Sequence, residues 1–413
     1  PRYSRLVPVS EIADPKNDYN LNLPRYIDST EPEDLQDIDA HLRGGIPNRD
    51  IDGDPANAIP GLSRYWEILP GVRTALFKKA DRSGYSALRI PQSEIKAAIL
   101  GHAEFTAFNE SATRLFAKWK KSAVPHLKGL GKDSHPKALI ETIAEDLLAA
   151  FESAPLLDAY DLFQHLMDYW AATMQDDCYL IAADGWREAA QPRLLVDDKS
   201  KKTAAAKTKP DFVLGKKKYQ TELLPPALIV QRWFAADQAA IDQLETEVAA
   251  LQQQLEEMAE EHGGEDGLLA DALNDKGKLT KASATARLRE VKGEADAADE
   301  TKLLKAYLAL VEQESTAAAK LSAAQDALTE KVAAKYPKLT EDEIKSLVVD
   351  DKWLGTLAAA VEGELDRVSQ TLTGRIRQLA ERYATPLPQL TDEVAALAAK
   401  VDGHLKKMGA SWN

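Results

Sequence analysis

Cysteine is almost missing from this chain of 413 residues: Cys178 stands alone, and one thiol excludes an internal disulfide framework. That usage fits a reducing cytosol. Histidine is scarce too, seven in all, and neither His nor Cys falls in the close pairs that a zinc site needs. No run of about 18 apolar residues occurs, so no membrane-spanning helix is expected. The first residues, Pro1-Arg2-Tyr3-Ser4, lack the basic-then-apolar pattern of a secretory leader, and a Pro there fits either removal of Met or a cut from a longer protein. Basic charge is in deficit: 52 Lys and Arg against 66 Asp and Glu leave a formal charge of −14 at pH 7, which argues against a surface coated in nucleic acid. Any contact with DNA has to be local.

What is present is ample apolar material, 44% of residues, enough to bury the cores of about two to three domains. Five segments are expected. Residues 1–80 are rich in turns, at Gly44-Gly45, Asp52-Gly53-Asp54-Pro55 and Pro60-Gly61, and read as an irregular tail in which the acidic stretch Asp28 to Asp39 starts a helix. Residues 81–155 turn helical: Ile95, Ile99, Phe105, Phe108, Leu115, Phe116 and Trp119 share a face from Ser93 to Lys121, and a loop from Pro125 to Pro136 precedes a second helix ending near Phe151.

Residues 156–232 read as α+β. Leu157, Tyr160, Phe163, Leu166, Met167 and Trp170 make an amphipathic helix with Asp158 as its N-cap. Three strand candidates follow, Cys178 to Ala182, Arg193 to Val196, and Phe212 to Leu214 continuing toward Tyr219, together a small antiparallel sheet. Between them residues 199–209 (KSKKTAAAKTK) form a basic, low-complexity loop.

From Phe234 onward the composition is helical. In residues 233–333, Ile241, Leu244, Val248, Leu251, Leu255 and Met258 recur at alternating three- and four-residue steps, a heptad seam that requires a partner helix. His262-Gly263-Gly264 ends that helix, an irregular excursion follows, and Leu303 to Val332 resumes, so an antiparallel helical hairpin is the simplest geometry. Residues 334–413 give two more helices, Leu354 to Tyr383 and Leu390 to Met408, separated by Pro386 and Pro388. The first carries Leu357, Val361, Leu365, Val368, Leu372, Ile376 and Leu379 on one face. The fold class expected is therefore mainly α, with a small antiparallel sheet, a coiled-coil-like hairpin and C-terminal helices.

A set of irregular blocks stands outside these periodicities. Residues 18–28 (DYNLNLPRYID) break both the helical and the strand period, and their bland reading is an extended segment over a core, with Asn20 and Asn22 bonding local backbone; a substrate-facing role is the alternative. With it, in order, come Tyr85-Ser-Ala-Leu-Arg-Ile, Leu157-Asp-Ala-Tyr-Asp161, Leu166-Met-Asp-Tyr-Trp170, Met174-Gln-Asp-Asp-Cys-Tyr-Leu-Ile181, residues 216–228 (KKKYQTELLPPAL), residues 260–264 (EEHGG), residues 350–353 (DDKW) and residues 382–388 (RYATPLP). This series resembles the C-terminal half of the modification subunit of type I restriction-modification systems, over essentially the whole chain, with residues 18–28 resembling the block that closes the catalytic domain.

The resemblance implies a bacterial or archaeal cytoplasmic enzyme, an adenine-specific (N6) DNA methyltransferase that uses S-adenosylmethionine, acts on a bipartite site and works with a specificity subunit, a motor-nuclease subunit, a second modification subunit and double-stranded DNA. The turns such chemistry needs are not in this chain. The one Pro-Pro, Pro225-Pro226, lies between Leu224 and Ala227 without a polar residue before it or an aromatic after it, and the glycine turn Gly129-Leu-Gly131 follows no strand. No catalytic, cofactor-binding or metal residue is assigned, and the chain alone is expected to be inactive.

Regional roles are what the resemblance transfers. The family's C-terminal helices associate with the specificity subunit, itself built on coiled-coil spacers, so Ile241, Leu244, Val248, Leu251, Leu255, Met258, Val361, Leu365 and Leu372 are subunit-interface candidates; an internal hairpin that buries itself explains the same stripes. Lys199, Lys201, Lys202, Lys207, Lys209, Lys216, Lys217 and Lys218 surround one acid, Asp211, and are DNA-backbone candidates, with a solvated loop the simpler reading. Asp161, His165 and Tyr169 share a helix face as a polar relay or as ordinary polar neighbours of an apolar stripe, and Asp176-Asp177 offers a cation ligand or a turn before a strand. A non-catalytic coiled-coil scaffold or DNA-binding assembly protein is the alternative to the modification-subunit reading.

Overall fold

The computed structural model describes residues 6–22, 26, 35–54, 56, 59, 61–195, 209–264, 267–292, 294 and 297–408. The protein is mainly helical, 71% helix against 6% strand, so helix packing and not sheet pairing makes its cores. The chain divides into two compact units: residues 1–112 with 365–413, and residues 113–364.

The start of the first unit is more ordered than its turn-rich sequence suggests. It holds α1 (Val9–Ile12), α2 (Ile38–Arg43), β1 (Ile46–Pro47), α3 (Asn48–Asp52), α4 (Ser63–Ile68), α5 (Pro70–Leu76), β2 (Phe77–Lys79) and β3 (Tyr85–Leu88). The strands form an antiparallel sheet in the order β1-β3-β2, with Ile46 opposite Ser86 and Phe77 opposite Leu88. Runs of two to four residues are too short to show a period of two, so this sheet escaped the sequence pattern. The acidic stretch does start a helix: the Asp37 carboxylate accepts from Ala40 N, 2.8 Å, at the head of α2. At Gly61 (φ +52) a Cβ would lie 2.1 Å from Gly53 N, so only glycine lets the two turns meet.

Ile51, Leu69, Leu76, Ile95, Ile99 and Phe105 form the buried centre of this part. The single helical segment expected from Ser93 to Lys121 is two helices, α6 (Ile95–Leu100) and α7 (Ala103–Lys128), broken at Gly101-His102. At the break the His102 ring Nδ1 accepts from Glu104 N at 3.2 Å and so caps the start of α7, while the Glu104 side chain serves another helix. The Glu104 carboxylate turns back to accept from Gly71 N and Val72 N, at 2.7 and 3.2 Å, and so caps α5. α7 also runs through Pro125, three residues past the expected loop start, because one proline removes only one helical hydrogen bond.

In the second unit α8 (Pro136–Phe151) precedes α9 (Ala159–Tyr169), capped as expected by Asp158, whose carboxylate accepts from Tyr160 N. A π-helical turn, Trp170–Met174, leads into α10 (Gln175–Asp184) and α11 (Trp186–Ala189). The strand expected at Cys178 to Ala182 is therefore wrong. Met174, Cys178 and Ile181 are all buried, a helical spacing that outweighs the strand preference of Tyr and Ile. Asp176 and Asp177 sit in a helical turn and not in a turn before a strand. The small sheet still forms, from β4 (Arg193–Leu194), β5 (Phe212–Leu214) and β6 (Lys217–Gln220) in the order β4-β6-β5, with Gly215 (φ +61) turning the β5–β6 hairpin. Pro225 and Pro226 are the N-cap and first residue of α12 (Pro226–Trp233).

α13 (Ala235–His262) and α15 (Ala298–Lys335) make the expected antiparallel hairpin, aligned by Lys331 on Asp237 (2.7 Å), Gln325 on Glu245 (3.1 Å) and Gln252 on Glu314 (3.0 Å). The connection after Gly264 is not irregular. It carries α14 (Lys281–Glu290), opened by a Thr280–Ser283 capping box, and its Leu269, Ala272, Ala284 and Val291 form a small core with Leu304 and Tyr307 of α15. Beyond the hairpin lie α16 (Glu341–Lys345), a π-helical stretch from Ser346 to Trp353, α17 (Leu354–Arg382) and α18 (Leu387–Lys407). Pro386 is the N-cap of α18 and Pro388 lies in its first turn, where a missing N–H costs nothing. Residues 103–112 of α7 and 365–382 of α17 belong to the first unit, the rest of each helix to the second.

Candidate functional site

The heptad seam answers to a partner inside the chain. Ile241 and Val248 are buried, Leu244, Leu251, Leu255 and Met258 half-buried, and the facing helix supplies Ala317, Leu328 and Val332. Leu255 and Met258 pack on the small core at the far end of the hairpin. Val361 is buried in the second unit, Leu365 and Leu372 in the first. Ile241, Val248, Val361, Leu365 and Leu372 are thus covered within the chain, as an internal core would cover them, while Leu244, Leu251, Leu255 and Met258 keep part of their surface exposed.

One helix is different. Along α18 the apolar residues Leu387, Leu390, Val394, Leu397 and Val401 are exposed, and so is every residue of the helix except the half-buried Leu405. Its N-terminal end packs against α2; its length projects without apolar cover among the described residues. The three-and-four spacing from Leu390 to Val401 is legible in the sequence, yet exposure is not a local property, and sequence reasoning placed the interface on better-populated stripes instead.

The basic run divides. Lys199, Lys201, Lys202 and Lys207 lie outside the described residues. Lys209, Lys216, Lys217 and Lys218 stand exposed at the β5–β6 hairpin, three of them at its tip. The hairpin is held rigidly for so small a sheet: Phe212 stacks on Tyr219 at 5.1 Å and on Tyr336 at 6.2 Å. Asp211, the one acid of the run, turns its carboxylate to Thr221, accepting from Thr221 N and Thr221 Oγ1 at 2.6 and 2.7 Å.

Asn20 and Asn22 sit on the surface of the first unit. The Asn20 carboxamide oxygen accepts from Asn22 N at 2.9 Å, and its backbone carbonyl accepts from the Tyr26 hydroxyl. That is the local backbone bonding expected of them, but Tyr19 and Leu21 are exposed, so only Tyr26 of the described residues in this block packs inward. Left-handed backbone at Asp18 (φ 44) and Tyr19 (φ 53) turns the other side chains out.

Two members of the polar triple on α9 have partners on other segments. His165 pairs with Glu364 at 2.9 Å, and the Tyr169 hydroxyl donates to the carbonyl of Lys352, so both reach α17 or its approach. Burial pushes the Tyr169 phenol up to about 12. Asp177, which the sequence offers as a cation ligand or a turn residue, is the centre of a buried polar cluster whose other members the sequence did not connect to it. Asp177 takes the Lys352 ammonium at 2.6 Å and the Trp353 indole N–H at 2.8 Å, while Lys352 also donates to the Leu223 carbonyl at 2.9 Å. Burial raises the Asp177 carboxyl above its ordinary range, and Lys352 pulls it back. Cys178 beside it is fully buried with its thiol pushed far up, the environment of a packing residue and not of a nucleophile. No group of three or more His, Cys, Asp or Glu with metal-holding geometry occurs among the described residues, and no helix among them is long and apolar enough to cross a membrane. Compared with protein-family models, with curated proteins and with solved structures, the chain matches none.

Proposed function

We propose that this chain is the C-terminal portion of the modification subunit of a type I restriction-modification system, a part whose work is subunit assembly and the embrace of DNA. The observation that carries the assembly role is the contrast between α18 and the other long helices. α13, α15 and α17 close their apolar stripes within the chain, whereas α18, a helix of 21 residues, leaves its stripe from Leu387 to Val401 open. Such a helix is marginal alone and gains its stability from a helical partner. The exposed lysines of the β5–β6 hairpin support a local contact with phosphates, which would position the protein on DNA without reading bases. The resemblance supplies the setting: a specificity subunit, a motor-nuclease subunit, a second modification subunit, and S-adenosylmethionine bound by the complete adenine-N6 methyltransferase and not by these residues.

A coiled-coil scaffold without a part in methylation is the second reading, favoured by the self-contained α13–α15 hairpin. One experiment separates the two. Labelled S-adenosylmethionine is titrated into the chain alone and together with a specificity subunit, and the mixture is then fractionated. Co-elution with the specificity subunit and no cofactor binding by the isolated chain is the expected result. Cofactor binding by the isolated chain would remove the division of labour, and separate elution would leave the scaffold reading.

A further inference from the structure

Where α14 folds back on α15 the chain encloses a cleft beside the small core. Thr285, Leu288 and Arg289 line it from one face of α14, at three- and four-residue steps, and Val291 and Lys292 continue that wall just past the helix end. Ala298, Thr301 and Lys305 line it from α15. The cleft holds about 620 Å³, within the range that small ligands occupy. Its floor is apolar, because Val291 belongs to the small core and the half-buried Leu288 packs against it. Its rim is cationic: Arg289, Lys292 and Lys305 are exposed there, and Glu294 is the one acid that lines it among the described residues.

Three cations left over an apolar floor run against the chain's formal charge of −14. Arg287, two residues before Arg289, shows the structural alternative: it pairs with Asp271, Glu290 and Glu300 at 3.2, 3.6 and 2.7 Å, and none of those acids lines the cleft. Arg289, Lys292 and Lys305 make no ion pair with another described residue. Ala298 and Thr301 lie in the first turn of α15, where the helix dipole favours negative charge, and the N-cap Ala297 brings no side-chain acceptor to that turn. We propose that this cleft binds a small organic phosphate, a phosphomonoester whose head is held by Arg289, Lys292 and Lys305 and whose aliphatic body lies on Leu288 and Val291. Arg289 brings the donor fork that matches phosphoryl oxygens, the lysines add point charges, and the Thr285 and Thr301 hydroxyls stand in the walls as further donors. No aromatic side chain lines the cleft among the described residues, so a nucleobase finds no stacking platform and an aliphatic body fits better. The backbone of a DNA duplex, which carries no such body, would meet the rim and leave the floor uncovered.

The test is titration calorimetry of the full chain with hexyl phosphate, inorganic phosphate, 1-hexanol and a short DNA duplex. Hexyl phosphate is expected to bind at one site about tenfold more tightly than inorganic phosphate, since its chain covers the floor, and 1-hexanol not to bind. Arg289→Ala with Lys305→Ala is expected to weaken hexyl phosphate about tenfold while keeping the wild-type thermal transition, because both side chains are in solvent. Ala298→Phe, at an exposed position of the wall, fills the cleft and is expected to weaken hexyl phosphate while leaving inorganic phosphate as it was. Absence of hexyl phosphate binding, equal affinity for hexyl and inorganic phosphate, or indifference to either variant would overturn the proposal. Binding of 1-hexanol as tight as that of hexyl phosphate would overturn the role of the cations. A duplex bound through Arg289 and Lys305 by a chain that ignores hexyl phosphate would give the rim to nucleic acid and overturn the small-molecule site.

Discussion

Asp177 and Lys352, 175 residues apart, form a 2.6 Å ion pair whose side chains are 6% and 12% exposed. Each lies next to or within a π-helical stretch, Trp170–Met174 and Ser346–Trp353, where an extra residue per turn shifts the side chains that follow. The second stretch works as a junction. Asp350 takes Lys128, Asp351 takes Arg232, Lys352 takes Asp177, and Trp353 is fully buried against Trp186. Four successive residues thereby tie α7, α12, α10 and α11 together.

Lys352→Met is expected to destabilise the second unit by about 3 kcal/mol or more, because it strands a buried carboxylate. Asp177→Leu combined with Lys352→Met should recover most of that loss. Denaturant unfolding of the three variants measures it, and a double variant as unstable as the single one would show that the pair is net stabilising on its own account.

Asp50 predicts a pH effect in the first unit. Its carboxylate is buried, accepts from the Tyr383 hydroxyl at 2.8 Å, and is raised from the ordinary value of 3.8 chiefly by burial, with Tyr383, Arg49 and Arg382 opposing. Since the folded value lies above the unfolded one, the folded state holds the extra proton in the interval between them. This group's contribution to stability therefore rises as pH falls through the folded value and levels off below 3.8. Asp50→Asn should lose that dependence, read as a flatter curve of unfolding free energy against pH than wild type between neutral pH and the acid limit.

Val248→Asp tests the hairpin. Burying a carboxylate against α15 should cost about 3 kcal/mol, seen as diminished helicity and protease sensitivity of residues 235–335 with the first unit still folded. Leu251→Asp, at a half-buried site, should cost less. Intact helicity with altered self-association would mean that the seam meets another chain.

Replacing Lys209, Lys216, Lys217 and Lys218 by Ser should flatten the salt dependence of DNA binding, by about 0.9 in the log–log slope for each phosphate that these lysines no longer neutralise. An unchanged slope would mark the hairpin tip as solvated only.

Much of the architecture was legible because its signals are local. The Asp158 cap, the stop at Gly263-Gly264 and the three-and-four spacing of Ile241 to Met258 are each set by residues only a few positions apart. The misreadings share a cause as well. Cys178 to Ala182 has strand-forming side chains and becomes helix because Met174, Cys178 and Ile181 are buried together; the α6–α7 break coincides with Glu104, whose carboxylate serves a helix 33 residues away. The Asp177 cluster unites residues from distant segments, so no spacing rule points to it.

By itself, the sequence determined the helical class, the antiparallel course of the α13–α15 hairpin, and the heptad character of several stripes, since periodicity and caps follow from backbone geometry alone. Tertiary structure decided which stripes are spent. Two helices with the same three-and-four spacing differ in role only through what lies beside them, and packing covers Ile241 and Val248 while leaving Val394 and Leu397 in water.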